Sequence, residues 1–353
     1  MPEYDVVITG GGPAGMSAAL GAVSAGASRV LLVERDDEPG GMPKQCAHRG
    51  FGLKRFKEEL TGPEYAERLK KLVAVSGADI MTGTSVLQFE RDGSLLLSGK
   101  NLMRVEAKAL VLASGCRERP IGALPVTGAR PSGVFTAGTA QRMMNLGGYE
   151  VGKRAVVLGS GDVGLIVARE IKKRGGEVIA VIEQKEVCGG LPRNRKGCLE
   201  AYDIPLLTCS TVTEVHGAER ITGVAVRNLI TGAVSRTACD TLIVSVGLIP
   251  ETELMEKLAA ETGGVPDFLF VCGNACFVHA SADDAAEESE KAGIAAANFA
   301  AGRMSGNAVP APVNKYRPAE GDLNCIGCPK NCRITKESGA YAGMTCGRPE
   351  PVF

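Results

Sequence analysis

Four cysteines near the end of the chain have the spacing of ligands to one metal centre. They follow the pattern C-x2-C-x3-C-x13-C and are Cys325, Cys328, Cys332 and Cys346. Three closely spaced thiolates and a fourth from a longer loop can surround either a tetrahedral zinc ion or a cubane iron-sulfur cluster. Zinc sites more typically use two C-x-x-C pairs, so this run favours a [4Fe-4S] cluster and keeps structural zinc as the alternative. The segment has too few apolar residues to fold without such a centre.

A second chemical pattern lies at the N-terminus, in DVVITGGGPAGMSAALGAVSAGASRVLLVE, residues 5–34. Gly10, Gly12 and Gly15 follow an apolar run at G-x-G-x-x-G spacing, and a second apolar run ends at Glu34. In such a turn the first glycine makes the bend, the second lets a pyrophosphate approach the backbone, and the third lets the helix pack on the strand. The closing acid binds ribose hydroxyls. The pattern predicts a dinucleotide site.

The same pattern recurs in RAVVLGSGDVGLIVAREIKKRGGEVIAVIE, residues 154–183. The residues of this second copy are Gly159, Gly161, Gly164 and the closing acid Glu183. In both copies 24 residues separate the first glycine from the acid. A 2′-phosphate beside Glu183 would be repelled, which favours NAD(H) over NADP(H), although Lys185 weakens that preference. Two copies in the same context predict two bound dinucleotides.

Three further stretches resemble one family of flavoproteins. KALVLASGCRERP (108–120), TLIVSVGLIPETEL (241–254) and FLFVCGNACFVHASADDAAEESEKAG (268–293) are similar to segments of the pyridine nucleotide-disulfide oxidoreductase superfamily. The resemblance covers about residues 4–302. A narrower resemblance is to the NAD(FAD)-dependent oxidoreductases that accompany glycerol-3-phosphate dehydrogenase-like flavoproteins. It lies in GGMPKQCAHRGFGLKRFKEELTGPEYAERL, GSGDVGLIVAR and GGLPRN. The four-cysteine tail resembles a small domain found next to that group.

The resemblance implies two doubly wound α/β domains, with an NAD domain inserted in an FAD domain. The expected boundaries are 1–120 and 248–302 for the FAD domain, 121–247 for the NAD domain, 303–320 for a linker and 321–353 for the cysteine segment. FAD is expected on the first glycine turn, a nicotinamide dinucleotide on the second, and hydride transfer between their stacked rings. The further FAD-binding residues that it implies are Arg35, Gly41, Gln45, Gly115, Gly273 and Asn274. Asn274 stands where the superfamily usually has Asp.

Three residues are candidates for catalysis near the flavin. The segment after the first acid carries Cys46 and His48 but lacks the second cysteine of a redox disulfide, so disulfide reduction there loses its support. His279 precedes Ser281, which forms an S-x-x-D capping box with Asp284 at the start of a helix expected to point at the flavin. The ordinary alternatives are a core-filling thiol and locally hydrogen-bonded histidines.

Charge and hydropathy limit the possible partners. Forty basic residues balance forty acidic ones without a long like-charge run, which excludes nucleic acid and anionic membrane surfaces as expected partners. We expect no membrane span and no signal peptide, hence a cytoplasmic protein, and we expect it to form an oligomer.

The predicted function is electron transfer between NADH, FAD and a C-terminal cluster, to or from a partner flavoprotein dehydrogenase subunit. The alternatives are a reductase of a diffusible acceptor with a zinc tail, and a non-catalytic nucleotide-binding subunit.

Overall fold

The computed structural model describes residues 2–303 and the backbone of 323–324 and 333–334. The chain divides into two units. Unit 1 consists of Met1–Arg117 and the chain from Ile249 onward, and unit 2 consists of Glu118–Leu248, against the predicted range 121–247. Unit 2 is therefore inserted in unit 1 along the chain, which is the order that the sequence predicts.

The first part of unit 1 is a parallel sheet with an antiparallel extension. Its elements are β1 (Glu3–Thr9), α1 (Pro13–Ser24), β2 (Val30–Val33), β3 (Arg49–Phe51), β4 (Leu60–Thr61), α2 (Gly62–Ala74), β5 (Asp79–Met81), β6 (Ser85–Phe89), β7 (Leu95–Ser98), β8 (Leu102–Leu112) and β9 (Cys116–Glu118). Strands β5, β2, β1 and β8 are parallel neighbours in that order, and β7 and β6 continue from β8 as antiparallel strands. All four residues of β2 are buried, as expected for a parallel strand with both faces covered.

Unit 2 contains a second parallel sheet. Its elements are β10 (Thr127–Gly128), β11 (Val134–Thr136), α3 (Ala137–Asn145), β12 (Arg154–Leu158), α4 (Asp162–Lys173), β13 (Glu177–Ile182), α5 (Pro192–Asn194), β14 (Leu206–Leu207), β15 (Ser210–Gly217), β16 (Ile221–Asn228), β17 (Val234–Thr237) and β18 (Thr241–Val244). The parallel sheet has the order β11-β18-β12-β13-β14, and a second sheet has the order β10-β15-β16-β17. A core that includes Val156, Ile182 and Val224 joins the facing sides of the two sheets.

The chain then returns to unit 1 and completes its sheet. The remaining elements of this unit are β19 (Leu248–Pro250), α6 (Glu253–Thr262), β20 (Leu269–Val271) and α7 (Ala282–Ala300). Strand β20 pairs in parallel with the end of β8, and α7 packs closely against α1. A Cβ added to Gly293 would lie 1.9 Å from the carbonyl oxygen of Ala18, so this helix pair needs glycine at its contact. The predicted doubly wound α/β fold is confirmed.

Only two short backbone segments are described beyond residue 303. Strands β21 (Leu323–Asn324) and β22 (Arg333–Ile334) pair in antiparallel fashion, with Asn324 opposite Arg333. The rest of the predicted linker and the predicted metal ligands Cys325, Cys328, Cys332 and Cys346 lie outside the described residues. Within the described part of the chain, no helix combines the length and the apolar character needed to cross a bilayer.

Candidate functional site

The glycine turn of unit 1 joins the end of β1 to the start of α1. Gly10 has φ +105, and a Cβ there would lie 2.5 Å from the carbonyl oxygen of Ala113 on the neighbouring chain segment. A Cβ on Gly15 would lie 1.7 Å from the carbonyl oxygen of Gly10. Both positions therefore require glycine for the protein's own packing, the first for the bend and the second for the contact of helix and strand.

The middle glycine of each turn, unlike the outer two, is not required by the fold. Gly12 has φ -75, and a Cβ there would meet only the Cα of Gly41, at 3.8 Å. Gly161 has φ -65, and a Cβ there would meet no atom within 4 Å. Neither the backbone conformation nor the packing requires glycine at these two positions. Each is the N-cap of a helix without a side-chain cap, so its missing side chain leaves backbone N-H groups accessible to a pyrophosphate. The residues present thus fit a dinucleotide.

The closing acids make the same contacts in both units. The Oε2 atom of Glu34 accepts a hydrogen bond from the N-H of Gly11 at 2.7 Å, and that of Glu183 accepts from the N-H of Ser160 at 3.1 Å. The other oxygen accepts from the N-H two residues further on, Asp36 at 2.8 Å and Lys185 at 3.0 Å. A carboxylate has further lone pairs, so each acid can still accept ribose hydroxyls beside its glycine turn.

The turn of unit 2 has the same requirement for glycine at its outer positions. Gly159 has φ +99, and a Cβ there would lie 2.1 Å from the carbonyl oxygen of Ser245. A Cβ on Gly164 would lie 2.6 Å from the carbonyl oxygen of Gly159. The structure thus places all six fingerprint glycines and both acids in two equivalent arrangements of strand, turn and helix.

Two polar side chains of this turn were missed by the sequence interpretation. The hydroxyl of Ser160 donates to Glu183 at 2.5 Å and accepts from the N-H of Gly189 at 2.7 Å. Asp162 accepts from the N-H of Leu191 at 2.8 Å and from the side chain of Asn194 at 2.7 Å. Together they attach the loop after β13 to the start of α4. The available signal was a serine inside G-S-G followed directly by an aspartate.

The segment that carries Cys46 lies against the first glycine turn. Gly41 has φ +58, and a Cβ there would lie 2.8 Å from the Cα of Gly12. The predicted FAD residue Gln45 is buried in the 3-10 turn that follows, while Arg35 is exposed at the end of β2. The carbonyl of Cys46 accepts from the N-H of Gly62 at 3.0 Å, and burial raises the pKa of the Cys46 thiol to about 12. Cys46 is therefore a protonated thiol at neutral pH.

His48 lies in the next stretch, which is attached to the start of α7. Its Nδ1 is 3.0 Å from the carbonyl oxygen of Arg49, a local contact of the kind expected for a structural histidine. Further along, the N-H of Lys54 donates to Asp283 at 3.0 Å, and the Lys54 ammonium pairs with Asp284. Ser281 caps α7, since its hydroxyl accepts from the N-H of Asp284 at 3.1 Å. The Asp284 carboxylate accepts from the Ser281 hydroxyl at 2.7 Å, so the structure shows the predicted cap but only one half of the predicted capping box.

Gly273, Asn274 and His279 form one cluster between β20 and α7. Gly273 has φ +61, and its N-H donates to Glu288 at 2.8 Å. The amide oxygen of Asn274 accepts from the N-H of His279 at 2.9 Å, and its amide nitrogen donates to the Cys116 sulfur at 3.6 Å. Gly115, with φ +77, immediately precedes Cys116. The structure therefore brings together the predicted residues that follow β8 and those that follow β20.

The His279 side chain is largely enclosed. It is 5% exposed, and its ring stacks on Phe277 with centroids 4.0 Å apart. Burial lowers the pKa of His279, while its interaction with the Phe277 backbone and the charge of Asp284 oppose that shift. The imidazole is therefore mostly neutral at neutral pH.

The described residues hold no group of three or more His, Cys, Asp or Glu side chains arranged to bind a metal ion. The predicted metal site involves other residues, those of the four-cysteine segment.

The sequence profile of the pyridine nucleotide-disulphide oxidoreductase family matches residues 4–267. An opine oxidase component of Rhizobium meliloti is 27% identical over 73% of this chain, and the match spans 52% of that protein. Thioredoxin reductase of Mycolicibacterium smegmatis is 26% identical over 71% of this chain and 78% of that protein. The chain thus spans about half the length of the first of these relatives.

Among solved structures, the thioredoxin reductase of T. acidophilum has a similar fold. It superposes with a TM-score of 0.69 and 22% identity, covering 86% of this chain and 100% of that chain. Its similarity supports the two-domain α/β architecture described above.

Proposed function

The chain belongs to the pyridine nucleotide-disulphide oxidoreductase family, and from this membership we propose that it is an FAD-dependent oxidoreductase of a nicotinamide dinucleotide. FAD binds at the glycine turn of unit 1 and the nicotinamide dinucleotide at that of unit 2. The observation that carries the proposal is that Gly12 and Gly161 are glycines where the protein's own packing would accept a side chain. When bound, FAD would supply hydride acceptance from nicotinamide and release of single electrons.

The residues of unit 1 have distinct parts in holding FAD. The backbone at Gly12 and the start of α1 receive the pyrophosphate, because the N-terminal N-H groups of a helix attract negative charge. Glu34 accepts the ribose hydroxyls of the adenosine. The start of α7 offers a second positive helix end, capped by Ser281. That end would stabilise negative charge on a flavin bound in front of it.

In unit 2, Glu183 supports a preference for NADH. Its carboxylate is held over the glycine turn by Ser160 and by the backbone of Lys185. A phosphate on the ribose 2′ position would bring a second negative charge close to this carboxylate. The exposed Lys185 side chain is available to offset part of that repulsion.

Anaerobic mixing of the flavin-loaded protein with NADH or NADPH tests this function. We expect rapid loss of the oxidised-flavin absorbance with NADH and slower loss with NADPH. A flavin that stays oxidised with both nucleotides would instead favour a non-catalytic nucleotide-binding subunit.

Reduction of a protein disulfide is not proposed, although thioredoxin reductases are among the relatives. Cys46 is the only cysteine in the segment that follows the first acid, and its pKa of about 12 disfavours a thiolate. Unit 2 contains no C-x-x-C pair, because its cysteines are Cys188, Cys198, Cys209 and Cys239.

We propose further that the C-terminal cysteines bind a [4Fe-4S] cluster, which would supply a one-electron outlet. The spacing of the four thiols is the main support. The backbone pairing of Asn324 with Arg333 adds to it, since these residues directly precede Cys325 and follow Cys332. Iron and acid-labile sulfide analysis of anaerobically purified protein tests the proposal. Zinc without sulfide would overturn it in favour of a structural site.

We propose that the chain transfers electrons to or from a partner flavoprotein dehydrogenase subunit. The opine oxidase relative supports this, because its name describes one subunit of an oxidase. Purification together with the products of the neighbouring genes tests the idea. Recovery of the chain alone, with full reductase activity toward a diffusible acceptor, would contradict it.

A further inference from the structure

The turn at Gly273 and Asn274 is fixed by two side chains that the proposed function does not use. Glu288, on the second turn of α7, accepts a hydrogen bond from the N-H of Gly273 at 2.8 Å. Gly273 also packs directly on the start of α1, since a Cβ there would lie 2.5 Å from the Cβ of Ala14. Glu288 therefore ties the turn to α7, while the packing of Gly273 on Ala14 places the turn against α1.

The orientation of Asn274 is determined by His279. A backbone N-H can only donate, so the bond from the N-H of His279 at 2.9 Å must end on the amide oxygen of Asn274. The Nδ1 atom of the His279 ring lies 3.2 Å from the same oxygen. This nitrogen must carry a proton to make a favourable contact there.

The opposite ring nitrogen faces Glu288. With Nδ1 protonated, the Nε2 atom of neutral His279 has only a lone pair, and it lies 3.4 Å from the Oε2 atom of Glu288. Nε2 is buried and makes no hydrogen bond. A proton added at Nε2 would convert this contact of two acceptors into a charge-assisted hydrogen bond. The pair would then join Glu288, His279 and Asn274 in one chain of hydrogen bonds.

Three other ionisable groups lie near the pair. Asp284 on α7 carries negative charge toward His279, and the ammonium of Lys54 neutralises part of that charge. The Cys116 sulfur contacts the amide nitrogen of Asn274, on the far side of that side chain from His279. Glu288 is therefore the acid placed against the buried ring nitrogen.

We propose that His279 and Glu288 are a proton-binding pair that positions the Gly273–Asn274 turn, and that proton uptake by the pair strengthens the hold of this turn on the flavin. The hold on flavin rests on the proposed function, whereas the pair itself does not. His279 and Glu288 are positioning residues here, because they act through the turn.

Histidine NMR tests the pair directly, since the chain has only three histidines. The pKa of His279 is measured in the wild type and in Glu288→Gln, in which the amide oxygen can still accept from Gly273. We expect the pKa to fall by about 1 unit when the charge of Glu288 is removed. Glu287→Gln is the matched control, because Glu287 is exposed on the same helix and pairs with Lys291. An unchanged pKa in Glu288→Gln would overturn the pair.

Asn274→Asp provides a second variant if Glu288→Gln does not fold. It places a carboxylate beside Nδ1 and should raise the pKa of His279 by a similar amount, and no change would again contradict the arrangement.

The dissociation constant of FAD, measured from about pH 8 to about pH 5.5, tests whether proton uptake strengthens flavin binding. We expect wild-type binding to tighten more than that of Glu288→Gln as the pH falls, and equal pH profiles would overturn it. Failure to bind FAD at all would instead count against the proposed function.

Discussion

At the residue scale, the two turns contain glycines that the fold requires and glycines that it does not require. Gly10, Gly15, Gly159 and Gly164 are required by backbone conformation or by close packing. Gly12 and Gly161 are not, and this difference could not be obtained from spacing alone. The sequence predicted all six glycines and both acids, because the local order of strand, turn and helix determines their arrangement.

The alkylation rate of the Cys46 thiol can also be predicted at the residue scale. Because burial raises its pKa to about 12, we expect its alkylation by iodoacetamide at about pH 8 to be roughly a thousand times slower than that of an ordinary thiol. The rate should keep rising with pH well into the alkaline range. Peptide mapping of the modified protein measures it, with the urea-unfolded chain as the control. Equal rates in folded and unfolded protein would show that burial does not raise the pKa of the Cys46 thiol.

The proposed preference for NADH depends on the charge of Glu183. We expect Glu183→Gln to reduce the ratio of kcat/KM for NADH over NADPH by about tenfold, since it removes the repulsion of a 2′-phosphate. Glu186→Gln is the control, because Glu186 is an exposed acid of the same loop. Stopped-flow reduction of the flavin by each nucleotide gives the ratio. If both variants left the ratio unchanged, Glu183 would not select the cofactor.

The polar residues that support the site were less predictable. Ser160 and Glu288 act through contacts with residues 29 and 15 positions away in sequence, and no local motif identifies such partners. Asn274 was predicted from the resemblance to the superfamily, which usually has Asp at that place, but its orientation depends on His279. Sequence spacing thus predicted the glycines and acids of the turns better than the polar side chains that form hydrogen bonds around them.

At the element scale, the close contact of α1 and α7 joins the two chain segments of unit 1. A Cβ on Gly293 would lie 1.9 Å from the carbonyl oxygen of Ala18, and one on Gly21 would lie 2.1 Å from that of Glu290. The helices therefore approach backbone to backbone. Since α1 starts at the first glycine turn and α7 follows the Gly273 turn, their contact sets the separation of the two segments that are proposed to bind FAD.

Gly293→Ala tests this helix contact. Alanine normally stabilises a helix relative to glycine, but here we expect the free energy of unfolding to fall by about 1–3 kcal/mol, because the helices must move apart. Urea unfolding followed by circular dichroism measures it. Gly264→Ala is the control, since a Cβ there would meet no atom within 4 Å. A stability gain in Gly293→Ala would contradict the close approach.

Some elements had no counterpart in the sequence interpretation. The antiparallel sheet of β15, β16 and β17 and the β6-β7 hairpin extending from β8 carry no glycine motif or capping signal that identifies them. Their pairing depends on the strands that they meet, as β-propensity generally does. The two nucleotide-binding halves were predictable because their signals are local.

At the scale of the whole molecule, two nucleotide-binding units and a four-cysteine segment lie on one chain. The order is unit 1, unit 2, unit 1 again, and then the cysteine segment. In the proposed function, NADH reduces the flavin at the two units, and the cysteine segment passes electrons onward. The two steps should therefore respond differently to substitution.

Cys328→Ser tests that separation. We expect NADH to reduce the flavin at nearly the wild-type rate, because Cys328 belongs to neither nucleotide-binding turn, while electron delivery to the partner or to a one-electron dye stops. Anaerobic stopped-flow measurements follow both steps, and Cys209→Ser is the control for loss of a cysteine outside the proposed cluster. Loss of flavin reduction itself in a folded Cys328→Ser protein would show that the two steps are not separable.

Gly161→Val tests most directly whether FAD binds to unit 1 and NADH to unit 2. Valine suits the extended backbone of Gly161 and its Cβ meets no protein atom within 4 Å, so the variant should fold and retain FAD. The measurement is the flavin absorbance after anaerobic addition of NADH and then of dithionite. We predict that NADH leaves the flavin oxidised and that dithionite reduces it. Reduction by NADH at the wild-type rate would contradict the assignment of the second glycine turn to the nicotinamide cofactor.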